Sequence, residues 1–323
     1  MSITDSNQRV AWIDNLKAFV IFLVVLGHSG LKDKSQVIAI IITWIYEFHM
    51  PLFFLLSGVS FSIVQKRGGK FVNKQILNII LIFFIQSVFY ILFNMLVHHL
   101  FNIQPSVETN FSNLYTFFIW PVGEFWYLHA LIIIYIVELL ITTLVKDDRV
   151  KMVIVVILAF GGMMTSIGIL SKALYELLFF ECGRQILSVK KTPIWISAIG
   201  VVASIVVPFV TMEGIFITRL LTVMIALTMS IFLVCIFSKC FDTNLGIITI
   251  IGQSCLWIYL FHTYFTNVSR NICNRVIPTL PIVSTVIITI IGVAGPLVTM
   301  YIFKIIRIDR IVTRPVSFLK NDI

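Results

Sequence analysis

Charge is what this sequence has least of. Only 12% of its 323 residues are Asp, Glu, Lys or Arg, against about 25% in ordinary soluble domains. With 59% apolar residues and a mean hydropathy of +1.02, the chain carries far more apolar surface than one water-soluble core can hide, which excludes an ordinary soluble fold. Acidic residues are scarcer than basic ones, 15 against 24, yet the basic residues lie in short clusters between apolar runs. That pattern excludes a nucleic-acid-binding stripe and fits a chain that threads a membrane several times. Cysteine is also sparse. Cys182, Cys235, Cys240, Cys255 and Cys273 are odd in number and far apart, which describes neither a disulfide framework nor a zinc site. No internal repeat is visible, which disfavours a transporter built from repeats. A cleavable leader is not expected either, because residues 1–17 are polar and mixed in charge and no small-residue cleavage pattern follows the apolar run from Ala18.

What is present is a series of apolar runs, each near the 20 or so residues that a bilayer core requires. They predict helices near 12–31, 37–64, 74–98, 125–145, 151–170, 173–189, 193–210, 215–238, 247–268 and 282–303. The expected fold is all-α: a polytopic membrane bundle of about ten helices with both termini cytoplasmic. With the N-terminus inside, 18 of the 24 Lys and Arg fall in cytoplasmic segments. Only Lys32, Lys34, Lys172, Arg219, Arg270 and Arg275 fall outside, as the positive-inside rule requires. Residues 1–323 then form a single integral membrane domain, with a short N-terminus at 1–11, a short tail at 304–323 and no soluble catalytic domain. The longest connection, 99–124, carries no Lys or Arg and lies on the outer side.

Ionisable groups within lipid cost about 2.5–3.5 kcal/mol each, so each is a candidate for function. Asp14, Lys17 and His28 share the first helix. Eleven positions at about 100° each put Lys17 and His28 on one face, about 16 Å apart along the axis. In the second helix, Phe48-His49-Met50-Pro51 precedes Leu56-Ser57-Gly58. Pro51 removes a backbone donor and opens the helix near His49, while Ser57 and Gly58 permit close packing. The fourth helix begins with Trp126-Tyr127-Leu128-His129, and the ninth holds Gly252 to His262. Four imidazoles, His28, His49, His129 and His262, thus come from four helices in the middle or outer half of the membrane. Acid–base chemistry and metal binding both use histidine, but no His, Asp or Glu pair has i, i+4 ligand spacing in one span, so no metal is expected.

At these residues the sequence resembles the membrane-bound acyltransferase-3 family, particularly its fucose 4-O-acetylase-like and polysaccharide O-acetyltransferase branch. The resembling segments are Trp12 to Lys17 with Val24 to His28, then Phe48 to Gly58, Phe125 to Leu128, and Gly252 to His262. The resemblance implies a ten-helix enzyme of the cell membrane. It implies transfer of an acyl group, usually acetyl, from cytoplasmic acyl-CoA to a sugar hydroxyl of a cell-envelope glycan or lipid-linked acceptor. Many family members carry arginine where this chain has Lys17, which keeps the charge and loses the bidentate fork.

On this reading acetyl-CoA or another acyl-CoA is the co-substrate, its phosphates held by Lys17 with Lys70 and Lys74, and Asp14 belongs to the Lys17 end. His28 is the general base, His49 and His262 orient the acceptor or complete a proton path, and Ser57 offers a hydroxyl. Two other classes compete with this reading. A transporter or flippase of a glycan or small solute would use Glu47, Glu138 and the histidines as a proton relay. A structural assembly subunit would tolerate changes at all of these positions.

Overall fold

The structure, a computed structural model, describes residues 10–101, 123–186, 201–202 and 215–319. Among them every regular element is helical. In chain order these are α1 (Ala11–Gly27), α2 (Gln36–Tyr46), α3 (His49–Gln65), α4 (Gly69–Phe101), α5 (Trp126–Leu144), α6 (Asp148–Met164) and α7 (Gly168–Ile186). They continue as α8 (Ile215–Cys240), α9 (Ile247–Gln253), α10 (Cys255–Val276), α11 (Pro281–Ile305), α12 (Asp309–Thr313) and α13 (Pro315–Leu319). The helix expected at 193–210 and most of the connection at 99–124 lie outside the described residues.

Among the described residues, five segments are long and apolar enough to cross a membrane: Gln36–Gln65, Gly69–Leu96, Trp126–Leu144, Arg219–Cys240 and Pro281–Ile305. The bent pair α9 and α10 counts as a sixth when its two helices are taken as one span. Their outward residues are apolar as well. Leu140 and Leu144 on α5 and Ile290 and Val298 on α11 are exposed, as lipid-facing side chains are. The chain is an all-α integral membrane protein.

Two expected helices are broken. The run at 37–64 divides at Glu47 and Phe48, between α2 and α3. Pro51 explains the position, since it has no N–H to give the Glu47 carbonyl and its ring crowds that oxygen. The run at 247–268 divides at Ser254, where α9 and α10 meet at 87°, and α10 continues to Val276. Hydropathy cannot register a change of direction, because the residues on both sides of the break are equally apolar. The backbone stays paired through it: Ser254 N–H donates to Ile250 at 3.0 Å, and Ile258 N–H donates to the Ser254 carbonyl at 3.0 Å.

The chain divides into two compact units, Met1–Ser60 with Gly183–Arg307, and Phe61–Cys182 with Ile308–Ile323. In the first, α1 is the central helix, with Asn15, Leu16, Val20, Ile21 and Val25 shut away from the surface. Glycines bring its neighbours close. A Cβ on Gly252 of α9 would overlap the Asp14 carbonyl, and one on Gly292 of α11 would stand 2.6 Å from both Val25 and Thr266. Asn15 holds the loop between α8 and α9. Its Nδ2 donates to the carbonyls of Phe241 at 2.7 Å and Thr243 at 2.9 Å, and its Oδ1 accepts from Thr249 Oγ1 at 2.8 Å.

In the second unit Phe61, Tyr135 and Phe180 form an aromatic cluster with centroids 4.9–5.5 Å apart, and Gln75 Nε2 donates to the Tyr135 hydroxyl at 2.8 Å. The chain after α11 is more than the simple tail expected. α12 and α13 pack on α4, where Val316 N–H donates to Asn78 Oδ1 at 3.0 Å.

The Asn15 bonds generate a stability prediction. Replacement of Asn15 by Leu leaves two part-buried carbonyls and a buried hydroxyl without this partner, at about 1–3 kcal/mol for the buried group and less for the others. The purified variant should melt several degrees below the wild type in detergent. An unchanged melting temperature would show that Asn15 does not hold the loop.

Candidate active site

α1 ends at Gly27, and His28 caps it, half-buried, with its N–H donating to the Val24 carbonyl at 3.0 Å. Two other helices bring histidines to this end. The His262 ring of α10 meets the His28 ring at 5.1 Å between centroids and 65° between planes. His49, first residue of α3, is close enough to His28 for electrostatic interaction, and its ring lies 5.1 Å from that of Tyr46. Tyr46 in turn donates its hydroxyl to the Gly27 carbonyl at 2.9 Å. A phenol at the end of α2 therefore ties down the turn that carries His28.

The hydrogen bonds decide which nitrogens are basic. Backbone carbonyls only accept, so His262 Nδ1 must carry its proton, donating to Tyr259 at 2.8 Å and Ile258 at 3.2 Å. Its Nε2 then holds the lone pair in the neutral ring. That atom is buried without a hydrogen-bond partner in a side chain that is 0% exposed. His49 is arranged alike, with Nδ1–H donating to the Ile45 carbonyl at 2.9 Å across the break before α3. Two of the three imidazoles here are thus fixed in one tautomer by helix carbonyls.

The other end of α1 carries the cation. Lys17 Nζ donates to Ser60 Oγ at 3.2 Å, and Ser60 Oγ donates to the Leu56 carbonyl at 2.9 Å. Lys17 and Asp14 both lie close enough to Cys255, the first residue of α10, to act on it electrostatically. Asp14 Oδ2 is buried without a hydrogen-bond partner. The register of the three helices follows from these pairs. His28 faces His49 and Lys17 faces Ser60, and each pair of positions is eleven residues apart along its own helix. α3 therefore runs antiparallel to α1, while α10 runs alongside it from Cys255 to His262. Lys17 and His28 point towards the same two neighbouring helices, about 16 Å apart along α1.

Other expected residues are placed differently. Ser57 donates its hydroxyl back to the Phe53 carbonyl at 2.9 Å. Lys70 and Lys74 occupy the first turns of α4, in the second unit, as does His129, whose ring lies 5.4 Å from that of Phe83. The sequence reading missed Tyr46 and Ser60. Ser60 had a signal, since it stands eleven positions after His49, the same interval that separates Lys17 from His28. Tyr46 had none, because an aromatic residue at a membrane surface is unremarkable. Among the described residues, no group of three or more His, Cys, Asp or Glu is arranged to hold a metal ion.

The fold and this arrangement define an integral membrane protein with histidines at one end of a buried helix and a cation at the other. The family model described as "Acyltransferase domain" matches residues 10–301, and the chain belongs to that membrane acyltransferase-3 family. Neither a curated protein nor a solved structure matches it. The protein is a membrane acyltransferase, working with an acyl donor and an acceptor.

Two changes test the supports of the site. Ser60→Ala removes the hydroxyl that holds Lys17 and should raise the KM for the acyl donor about two- to fivefold with little change in kcat. Tyr46→Phe frees the Gly27 carbonyl and should lower kcat about three- to tenfold with KM nearly constant. Steady-state kinetics in nanodiscs distinguish the two, and the opposite assignment of effects would contradict the geometry.

Proposed function

We propose that this enzyme moves an acyl group, in the simplest case acetyl, from cytoplasmic acyl-CoA to a sugar hydroxyl of a cell-envelope or exported polysaccharide, acting in the plasma membrane. The observation that carries the reading is the His28–His262 pair, one end of α1 away from Lys17. The donor's phosphates meet Lys17, a point charge steadied by Ser60, with Asp14 on the same turn of α1. The extended pantetheine arm covers the roughly 16 Å to His28.

At His28 the imidazole removes the proton of the acceptor hydroxyl as its oxygen attacks the thioester carbonyl carbon. The new C–O bond forms, the C–S bond breaks, and the departing thiolate takes the proton back from the imidazolium. His262 acts through His28. Its ring packs edge-on against the His28 ring and holds that imidazole in place towards the acceptor. His49, with Tyr46, orients the acceptor, and Ser57 lies on the same helix between His49 and Ser60.

The test is purified protein in nanodiscs with labelled acetyl-CoA and candidate envelope glycans, reading both free CoA and labelled glycan. His28→Ala should lower kcat about 10²- to 10⁴-fold, the usual worth of a general base, with the KM for acetyl-CoA within about twofold. Lys17→Ala should raise that KM about tenfold or more, as loss of a charge-assisted contact does. Undiminished transfer by His28→Ala removes the proposed base. Passage of intact glycan without release of CoA would make the protein a transporter.

A further inference from the structure

The segment that follows His28 is built for something the transfer chemistry alone does not require. Ser29 is 0% exposed, and its Oγ has no hydrogen-bond partner. Gly30 comes next, at φ +71°, a conformation that favours glycine. Across it lies the side chain of Arg270 from α10, so close that a Cβ on Gly30 would overlap the guanidinium. Glycine is thus required at position 30 twice, once by the backbone and once by the arginine laid over it.

That guanidinium is half-buried, and it donates from Nη2 to Asn267 Oδ1. No carboxylate pairs with it among the described residues. That bond uses one of the five N–H donors of the guanidinium. Lys34 stitches the same segment to α10 further along, donating from Nζ to Asn274 Oδ1 at 2.7 Å. Lys32 and Arg275 are exposed on the same two segments.

In the proposed topology these four residues are four of the six Lys and Arg on the outer side. Outer segments are poor in such residues, so their presence on the two segments that carry His28 and His262 asks for a reason. A planar guanidinium with free parallel donors matches the paired oxygens of a carboxylate or phosphate. Ser29 Oγ and His262 Nε2, both buried without partners, lie on either side of His28 in the same two segments, where further polar atoms of a ligand find a donor and an acceptor.

We propose that Arg270 is an acceptor-binding residue that takes an anionic group, phosphate or carboxylate, carried by the acceptor, and so sets the enzyme's preference for acidic or phosphorylated sugars. This rests on the reading of His28 as the site of transfer. The anion would anchor the acceptor beside the His28–Ser29–Gly30 turn and leave a nearby sugar hydroxyl at the imidazole. Lys34, Lys32 and Arg275 would add long-range attraction.

The test uses the full chain in nanodiscs of zwitterionic lipid, with N-acetylglucosamine 1-phosphate and glucuronic acid as anionic probes and N-acetylglucosamine and glucose as their neutral counterparts. Binding is read by calorimetry and transfer by labelled acetyl-CoA. The wild type should bind each anionic probe about ten- to a hundredfold more tightly than its neutral counterpart, the scale of a charge-assisted pair. R270Q should abolish that preference and leave the KM for acetyl-CoA unchanged, while R270K should keep part of it. The wild-type preference should also weaken as salt rises, a reading that does not depend on any variant folding.

Equal binding of anionic and neutral probes by the wild type, or an unaltered preference in R270Q, would overturn the proposal. If anionic lipid in the nanodisc abolishes the preference at constant salt, the site belongs to a lipid headgroup and the proposal is likewise overturned. Preference in binding without any transfer would defeat the acyltransfer reading of His28 while leaving the anion site standing.

Discussion

The cost of a polar group without a partner in lipid governs this molecule. A buried donor or acceptor must find its bond inside the protein, because no water is there to supply one. His262 and His49 each spend Nδ1–H on carbonyls of the preceding turn, and Asn15 spends its whole amide on the loop between α8 and α9. Against that background the exceptions stand out. Among them, His262 Nε2, Ser29 Oγ and Asp14 Oδ2 are buried without partners at one or the other end of α1.

The same constraint makes α1 a ruler. Close packing through Gly252 and Gly292 leaves it no room to turn or slide, so the interval from Lys17 to His28 is fixed by helix geometry. α3 repeats that interval in the opposite direction, with Pro51 setting where it begins. The break at Glu47 and Phe48 is therefore part of the register.

Composition and run length were enough to read an all-α membrane bundle, and the eleven-residue interval was enough to place Lys17 and His28 on one face. The break near His49 was legible because proline states its own consequence. The break at Ser254 was not, since Gly252-Gln253-Ser254 carries no proline and is flanked by apolar residues that suit a straight helix equally well. Tyr46 and Ser60 escaped because their importance lies in what they touch, a carbonyl and an ammonium contributed by another helix. Arg270 reads from sequence as one more interfacial cation, and only its placement over Gly30 separates it from the rest. Sequence reveals a group's chemistry readily, but it shows a group's partner only when a fixed period connects the two.

The arrangement also bears on whether the acyl group is ever held covalently. Cys255 is a thiol near the proposed donor path, buried beside Lys17 and Asp14. It stands seven residues before His262, about 10 Å along α10, so an acyl group parked there would still have to travel to the imidazoles. Buried away from solvent, it also lacks the accessible surroundings that make a thiol reactive. On the proposed route the thioester itself reaches His28, and direct attack by the acceptor needs one base and no carrier. The lysine in place of the family's arginine is consistent with this division of labour. A flexible point charge fixed by a single serine suffices to retain a phosphate at a distance, whereas orientation is needed only where the bonds change, and there two tautomers are fixed by the backbone.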